Sequence, residues 1–428
     1  MKKIYLESYG CSANFSDQEI MLGLLSKNYK IVDSPKKSDI NIINTCVVKT
    51  PTEHKMIHKL RQLKKLNKPI IVAGCMPLVN KKIIERIDKN ASMLGPNSIQ
   101  KINYIVKKTL QGKKIIFLEH LRKPKLCLPK IRKNEIIEIC QICSGCMSNC
   151  AYCCTKNARG RIFSYPENLI IKEIKSALRQ GCKEIWVTSQ DNSCYGLEIK
   201  TNLTNLLKKI TKIKGTFYTR LGMMNPTYIK FILDDLLEIY KSEKMFKFMH
   251  LPVQSGSDKI LKLMNRKYSA KEYIKMIKKI RREFPYMTIS TDIIVGFPKE
   301  TEKDFKKSMD LVKEIQPDIV NISKFGARPN TQAKEMTQIR RYLINRRTKQ
   351  LTKVVKDIQL QRNSIWKDWQ GKILIDEIGK KGYLVGRNFA YKPVIVKLNK
   401  KYLGKIVNVK IKKISRTYLV GQLNHFDK

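Results

Sequence analysis

The stretch CQICSGCMSNCAYCC, residues 140–154, decides how the rest of the chain is read. Within it Cys146, Cys150 and Cys153 follow the spacing C-x3-C-x2-C. Three thiolates on one short loop can bind three irons of a 4Fe–4S cluster and leave the fourth iron without a protein ligand. A metal position left open is where chemistry takes place, as at a catalytic zinc. Two closed arrangements use the same stretch. Cys140, Cys143, Cys146 and Cys150 spell the bacterial ferredoxin run, although Ala151 stands where that run carries proline. Cys143, Cys146, Cys150 and Cys153 could instead make a four-thiolate zinc site. Cys127, Cys140, Cys143, Cys154, Cys182 and Cys194 have no assigned role from spacing.

Composition narrows the class. A chain of 428 residues, 42% of them hydrophobic, has room for two or three ordinary cores. No apolar run approaches the ~20 residues of a bilayer span. The start, MKKIYLESYGCSAN, lacks the apolar segment of a signal peptide and reads as a first strand. Twelve cysteines in such a chain point to metal ligation in the cytoplasm rather than to disulfides. With 86 Lys+Arg against 36 Asp+Glu, the net charge is +50. That field suits a polyanion, above all nucleic acid, although an AT-rich genome also enriches lysine. The basic residues are spread along the chain, and no basic amphipathic helix with an apolar anchor face suggests a membrane role.

The first third alternates strands and helices. Residues 3–8, 39–45 and 69–74 read as short buried strands, with a helical pattern at 54–66 between two of them. Such alternation implies a parallel sheet covered by helices. One cysteine follows each strand: Cys11, Cys46 and Cys75. Parallel strands present their carboxyl ends on one edge, so three thiols far apart in sequence should converge there. That is a second set of three ligands for a four-iron cluster.

Residues 121–135 are basic and aperiodic and read as a linker. Strands then recur at 184–188, 216–222, 246–253, 288–297 and 318–325. Repeated βα units suggest a full or partial α/β barrel with its chemistry at the strands' carboxyl ends. Ser189, Gln190, Asp191, Arg220, His250, Gln254 and Asp292 cluster near those ends and outline a pocket mouth. The segment TEKDF, 301–305, starts a helix with a capping pattern. From about Trp366, period-two strands at 372–377, 382–386, 393–398, 405–413 and 416–423 suggest a small antiparallel β-barrel.

Several of these stretches resemble one family. The spacing of Cys146, Cys150 and Cys153 is that of the radical S-adenosylmethionine enzymes. SYGCSANFSDQE (8–19), NTCVVKT (44–50), VAGCMP (72–77), EIWVTSQDNSCYG (184–196), HLPVQSGSDKILKLMNRKYS (250–269) and TDIIVGFPKETEKDF (291–305) resemble the methylthiotransferases among them. GRNFAYKPVIVK followed by LGKIVNVKI resembles the TRAM domain, a small RNA-binding barrel. The resemblance implies an auxiliary-cluster domain over 1–120, the linker over 121–135, a radical S-adenosylmethionine domain over 136–365 and a TRAM-like domain over 366–428. It implies two 4Fe–4S clusters, one on Cys146, Cys150 and Cys153 and one on Cys11, Cys46 and Cys75, with S-adenosylmethionine as cofactor. In the family, S-adenosylmethionine cleaved at the first cluster gives a 5′-deoxyadenosyl radical, and a methylthio group is assembled at the second. Tyr152, Ser189, Gln190, Gln254 and Asp292 are the residues the resemblance places at S-adenosylmethionine. Arg159 and Arg161 would stand beside an anionic cluster and a substrate phosphate. The interleaved aromatics Tyr383, Phe389, Tyr391 and Tyr402 would suit base stacking.

The implied activity is transfer of a methylthio group to C2 of a modified adenosine in a tRNA anticodon stem-loop, with an electron-donor protein as second partner. SYGCSANFSDQEIM, SQDNSCYG and RLGMMNP are most similar to the archaeal and eukaryotic branch acting on N6-threonylcarbamoyladenosine. The alternatives are the branch acting on N6-isopentenyladenosine and a non-catalytic RNA-binding iron–sulfur protein. One stretch departs from the family: FGARPNTQAKEM carries Asn330 and Gln332 where glycine and proline are usual, and asparagine tolerates the left-handed backbone such a turn needs. The ending LNHFDK carries no apolar tail, so no membrane anchor is expected.

Overall fold

The computed structural model describes residues 1–424 apart from Lys49 and Lys381. His425–Lys428 of the ending LNHFDK lie outside the described residues. Six strands build the first sheet: β1 (Lys3–Ser8), β2 (Lys30–Ile31), β3 (Ile40–Thr45), β4 (Ile70–Gly74), β5 (Ser92–Leu94) and β6 (Ile116–Phe117). Their order is β2-β1-β3-β4-β5-β6 and every pairing is parallel. β3 and β4 are buried along their whole length, as Ile-rich strands covered on both faces must be. The three cysteine-bearing strands β1, β3 and β4 are therefore side by side.

The central domain starts with β7 (Ile137–Gln141), followed by the short hairpin pair β8 (Cys143–Ser144) and β9 (Phe163–Ser164) that brackets the cysteine loop. The barrel continues with β10 (Glu184–Thr188), β11 (Tyr218–Leu221), β12 (Phe248–His250), β13 (Thr288–Val295) and β14 (Ile319–Lys324). Two three-stranded parallel sheets, β11-β10-β7 and β12-β13-β14, are joined by the parallel bridge Thr219–Met245. Among the described residues no ladder returns from β14 to β7, so this is a partial barrel with one open side. Thr301 caps the helix Glu302–Ile315 reciprocally with Asp304, as the TEKDF pattern implies. Asn330 adopts φ 57°, the left-handed conformation that its side chain permits.

The last domain closes β15 (Gln370–Ile378), β16 (Tyr383–Arg387), β17 (Pro393–Lys397), β18 (Ile406–Ile414) and β19 (Leu419–Leu423) into a barrel in the order β15-β16-β17-β19-β18. All its pairings are antiparallel except β17 with β19. It docks on the amino ends of the central strands. Tyr391 donates its hydroxyl to Glu184 at the start of β10 (2.9 Å), and Lys392 Nζ donates to Asp318 just before β14 (2.8 Å). The Lys247 amide, one residue before β12, donates to the Phe389 carbonyl (2.7 Å).

This docking corrects two expectations. Arg220 does not face the pocket mouth: its guanidinium stacks on Trp186, Phe248 and Tyr391 at the barrel–barrel junction. Tyr391 is half-buried in the same junction, its ring packed against Phe246 and Phe248 rather than offered to a base. The 24-residue helix Arg341–Ser364 links the two ends of the central barrel. Ile344 packs at Gly296, just past β13, and Arg362 reaches Asp318 at the opposite end (3.5 Å).

Candidate cluster centres and cofactor site

Topology gathers the first cysteine set. Cys11, Cys46 and Cys75 follow the carboxyl ends of β1, β3 and β4. Gly10 has φ +116°, and a Cβ there would fall 2.6 Å from Cys46 Cβ, so only glycine brings these two loops together. Asn14 locks them, donating Nδ2 to both the Tyr9 and Thr45 carbonyls at 2.8 Å. Burial, then the neighbouring Cys11 and Cys75, pushes the Cys46 thiol up to about 12. Burial also raises Cys75. Two buried thiols, Cys46 and Cys75, with the exposed Cys11 beside them, make a three-sulfur donor set that fits an iron–sulfur cluster.

Beside these thiols lies a buried charge cluster built from three parts of the chain. Asp17, on the helix Ser12–Leu25, bonds Lys125 of the linker and Gln141 Nε2 of β7 (2.9 Å). Arg159, from the central domain, donates Nη2 to Asp17 (2.9 Å) and to Asn14 (2.7 Å). Arg159 and Lys125 are each 2% exposed. Burial pushes Asp17 up, but Lys125 and Arg159 outweigh it and hold the carboxylate low. Burial lowers Lys125 to about 8. Two cations against one carboxylate leave an excess positive charge in the interior, which is costly unless an anion adjoins it. The Cys75 and Cys11 sulfurs adjoin Arg159, and as thiolates of a bound cluster they would supply that anion. Arg159 thus stands beside a cysteine set as the sequence implied, but the set is the amino-terminal one. The linker is likewise no free tether, because Lys125 and Lys130 are both locked in buried ion pairs.

The second set sits on the loop between β8 and β9. Gly145 opens it with φ +79°, and a Cβ there would lie 2.2 Å from the Arg161 carbonyl oxygen. Gln190 accepts from the Gly145 amide (2.8 Å), so this predicted cofactor residue also fixes the loop. Cys153 is raised by burial and then by its loop neighbour Cys150, with a smaller contribution from Cys146. Arg266 donates Nη1 to Cys150 Sγ (3.4 Å) and Nη2 to the Pro252 carbonyl (2.9 Å). Its position inside the quoted stretch 250–269 was visible in the sequence, but nothing in its spacing marked it. Cys146 Sγ, an Asp191 carboxylate oxygen and Cys194 Sγ lie within 4.8 Å of one another. Cys140 and Cys143 are 0% exposed in the barrel core, which disfavours both closed four-thiolate arrangements. Cys154 turns the other way from Cys153: it packs with Cys46 and Cys75 and donates to the Val47 carbonyl (3.5 Å).

The predicted cofactor residues surround this loop at the strands' carboxyl ends. Tyr152 packs edge-on against Phe297, and Ala151 before it is pinned by backbone bonds to Met264 and Ala333 (3.1 and 2.9 Å). Gln254 holds φ 73°, unusual for its type, and its backbone pairs with Asp292 and Ile294 of β13 (2.8 and 3.0 Å). Asp292 accepts from Asn321 (2.7 Å) and lies 3.2 Å from His250 Nε2. The Ser189 hydroxyl is buried next to Cys143. Three thiols, an open barrel end and convergent polar groups fit a cluster with a small polar cofactor.

Comparison with known proteins agrees with this architecture. Residues 140–312 match the radical SAM superfamily, residues 3–95 the uncharacterised protein family UPF0004 and residues 372–423 the TRAM domain. Among solved structures, the radical S-adenosylmethionine methyltransferase TsrM from Kitasatospora setae, determined with cobalamin and a [4Fe-4S] cluster bound, shares the fold. Its TM-score is 0.59 at 11% identity, covering 78% of this chain and 77% of that one. A probable threonylcarbamoyladenosine tRNA methylthiotransferase of Pyrococcus horikoshii is 40% identical over 427 residues, 99% of this chain and 100% of the relative. The threonylcarbamoyladenosine tRNA methylthiotransferase of Homo sapiens is 34% identical over 432 residues, 99% of this chain and 74% of the relative. At these identities over essentially its whole length, the chain belongs to the threonylcarbamoyladenosine tRNA methylthiotransferase family.

Proposed function

We propose that this chain transfers a methylthio group to C2 of N6-threonylcarbamoyladenosine in tRNA. The observation that carries the reading is the presence of two separate three-thiol sites, one on each of two adjoining domains, in a chain that ends in a TRAM barrel. Cys146, Cys150 and Cys153 would hold one 4Fe–4S cluster and Cys11, Cys46 and Cys75 the other. When bound, the clusters and S-adenosylmethionine supply the radical that removes the base hydrogen and the methylthio group that replaces it.

The chain's own residues bind and position. Gln190 keeps the Gly145 turn closed, and Arg266 sets a fixed positive charge against Cys150. Tyr152, Ser189, Gln254 and Asp292 border the space for S-adenosylmethionine, with His250 and Asn321 orienting the Asp292 carboxylate. The anticodon stem-loop is the RNA partner, and its duplex part meets the TRAM barrel. That barrel caps the amino ends of the central strands, whereas both cysteine sets lie beyond carboxyl ends. The RNA must therefore span the molecule. The helix Arg341–Ser364 runs that way and exposes Arg346, Lys349, Lys353 and Lys356 on one face at helical spacing. An electron donor protein would reduce the clusters. No helix among the described residues is long and apolar enough to cross a membrane.

The test is nucleoside mass spectrometry after anaerobic incubation of the reconstituted protein with S-adenosylmethionine, reductant, sulfide and tRNA. A methylthio mass gain on the threonylcarbamoyl nucleoside alone is expected. Gain on the isopentenyl nucleoside would move the enzyme to the other branch. No gain on either, with S-adenosylmethionine left uncleaved, would favour a non-catalytic RNA-binding protein.

A further inference from the structure

Lys125 and Arg159 of the buried charge cluster also line a cavity of about 90 Å³. Five of its lining residues are lysine or arginine, namely Arg122, Lys123, Lys125, Arg159 and Arg161, and none is aspartate or glutamate. The five are graded in depth. Arg122, Lys123 and Arg161 are exposed, whereas Lys125 and Arg159 are 2% exposed. The floor is thus formed by the two cations that outnumber Asp17, and Arg159 continues past the floor to Cys75 and Cys11. Arg159 also keeps Nη1 buried without a hydrogen-bond partner among the described residues.

We infer that this cavity is an entry port for a small sulfur-bearing anion, hydrosulfide in the simplest case, on its way to the Cys11–Cys46–Cys75 centre. The inference rests on the methylthiotransferase reading, in which that centre consumes one sulfur atom per turnover. Size selects the ligand class. The space admits an anion of a few heavy atoms, and it is far below the ~300 Å³ of a pocket for an organic cofactor or a nucleotide. Charge selects the sign. A mouth lined by one sign of charge, leading to a low-dielectric floor, concentrates the opposite ion. The excess positive charge at Lys125 and Arg159 then holds that ion next to the cysteines.

The test uses the full-length holoenzyme with both clusters, and the charge reversal Arg122→Glu/Lys123→Glu at the exposed mouth, which leaves the buried cluster intact. Hydrosulfide is titrated into each protein while the electron paramagnetic resonance of the auxiliary cluster is followed, and tRNA affinity is measured in parallel. The port predicts that the half-saturating hydrosulfide concentration rises about fivefold in the variant, that added salt shrinks the difference, and that tRNA affinity is kept. An unchanged titration with weakened tRNA binding would make the mouth an RNA phosphate contact and overturn the port. An unchanged titration with unchanged tRNA binding would overturn it too. If the wild-type spectrum ignores hydrosulfide altogether, the role of the auxiliary centre itself fails, and the port with it.

Discussion

The two cysteine sets arrive at the same chemistry by opposite routes. Cys146, Cys150 and Cys153 occupy eight residues of one loop, so local geometry brings them together. Cys11, Cys46 and Cys75 are spread over 65 residues, and only the strand order β1-β3-β4 makes them neighbours. Their surroundings differ as well. The loop set faces one arginine, Arg266, from its own domain. The strand set faces Arg159 from the other domain and Lys125 from the linker, bound together through Asp17. A short loop carries its own site wherever it is placed. A site made from strand ends must be completed by what packs against the sheet, and here that packing ties the two domains together.

The sharpest way to break this comparison is to remove one set at a time. Cys150→Ala should abolish reductive cleavage of S-adenosylmethionine, whereas Cys75→Ser should keep that cleavage and lose only the methylthio product. Product and cleavage are read separately by mass spectrometry. Loss of both activities in both variants would mean the sites are not separable.

Arg159→Gln comes next. It removes the cross-domain cation while leaving the loop set untouched. Methylthio transfer should fall by ~10–100-fold, with a lower reduction potential of the auxiliary cluster and unchanged S-adenosylmethionine cleavage. An unmoved potential would reduce Arg159 to a structural ion pair. A smaller effect is expected from Lys349→Glu/Lys353→Glu/Lys356→Glu on the connecting helix: tRNA affinity should drop by ~10-fold at moderate salt, with a shallower salt dependence. Equal affinity would show that the RNA takes another course.

The smallest effect concerns the junction with the last barrel. Burial, then the adjacent Asp376 carboxyl, pushes Glu184 up to about 8. The folded protein then keeps a proton that the unfolded chain releases, from the ordinary carboxylate range up to about 8. Stability from this group is complete below that window and is lost as pH rises through about 8. Glu19 and Glu300, each pushed up to about 7 by burial, act in the same direction. In Glu184→Gln the fall in Tm between about pH 6 and about pH 9 should shrink by a few degrees, as scanning calorimetry would register. An unaltered fall would assign the pH dependence to the other raised carboxyls, Glu19 and Glu300 among them.

Much of this molecule was legible in its sequence because its signals are local. Short Ile- and Val-rich runs marked the first strands and period-two alternation the last ones, and one cysteine after each of three strands implied a shared edge. The capping pattern at Thr301 and the tolerance of Asn330 for a left-handed turn also hold in the structure. What escaped depends on contacts between distant segments. Arg220 and Tyr391 looked like ligand-facing groups, yet each is consumed by the junction that the other helps to form. Lys125 looked like one more linker lysine, and only the docking of the helix Ser12–Leu25 against β7 buries it on Asp17. Side-chain partners contributed by three segments leave no spacing to read.

The central claim is that the two cysteine sets hold two independent four-iron centres. Iron analysis with electron paramagnetic resonance on anaerobically purified Cys146→Ala/Cys150→Ala/Cys153→Ala protein tests it most directly. The account predicts about half the wild-type iron and one remaining reducible cluster. Wild-type iron content, or no cluster at all in a protein that still binds tRNA, would contradict it.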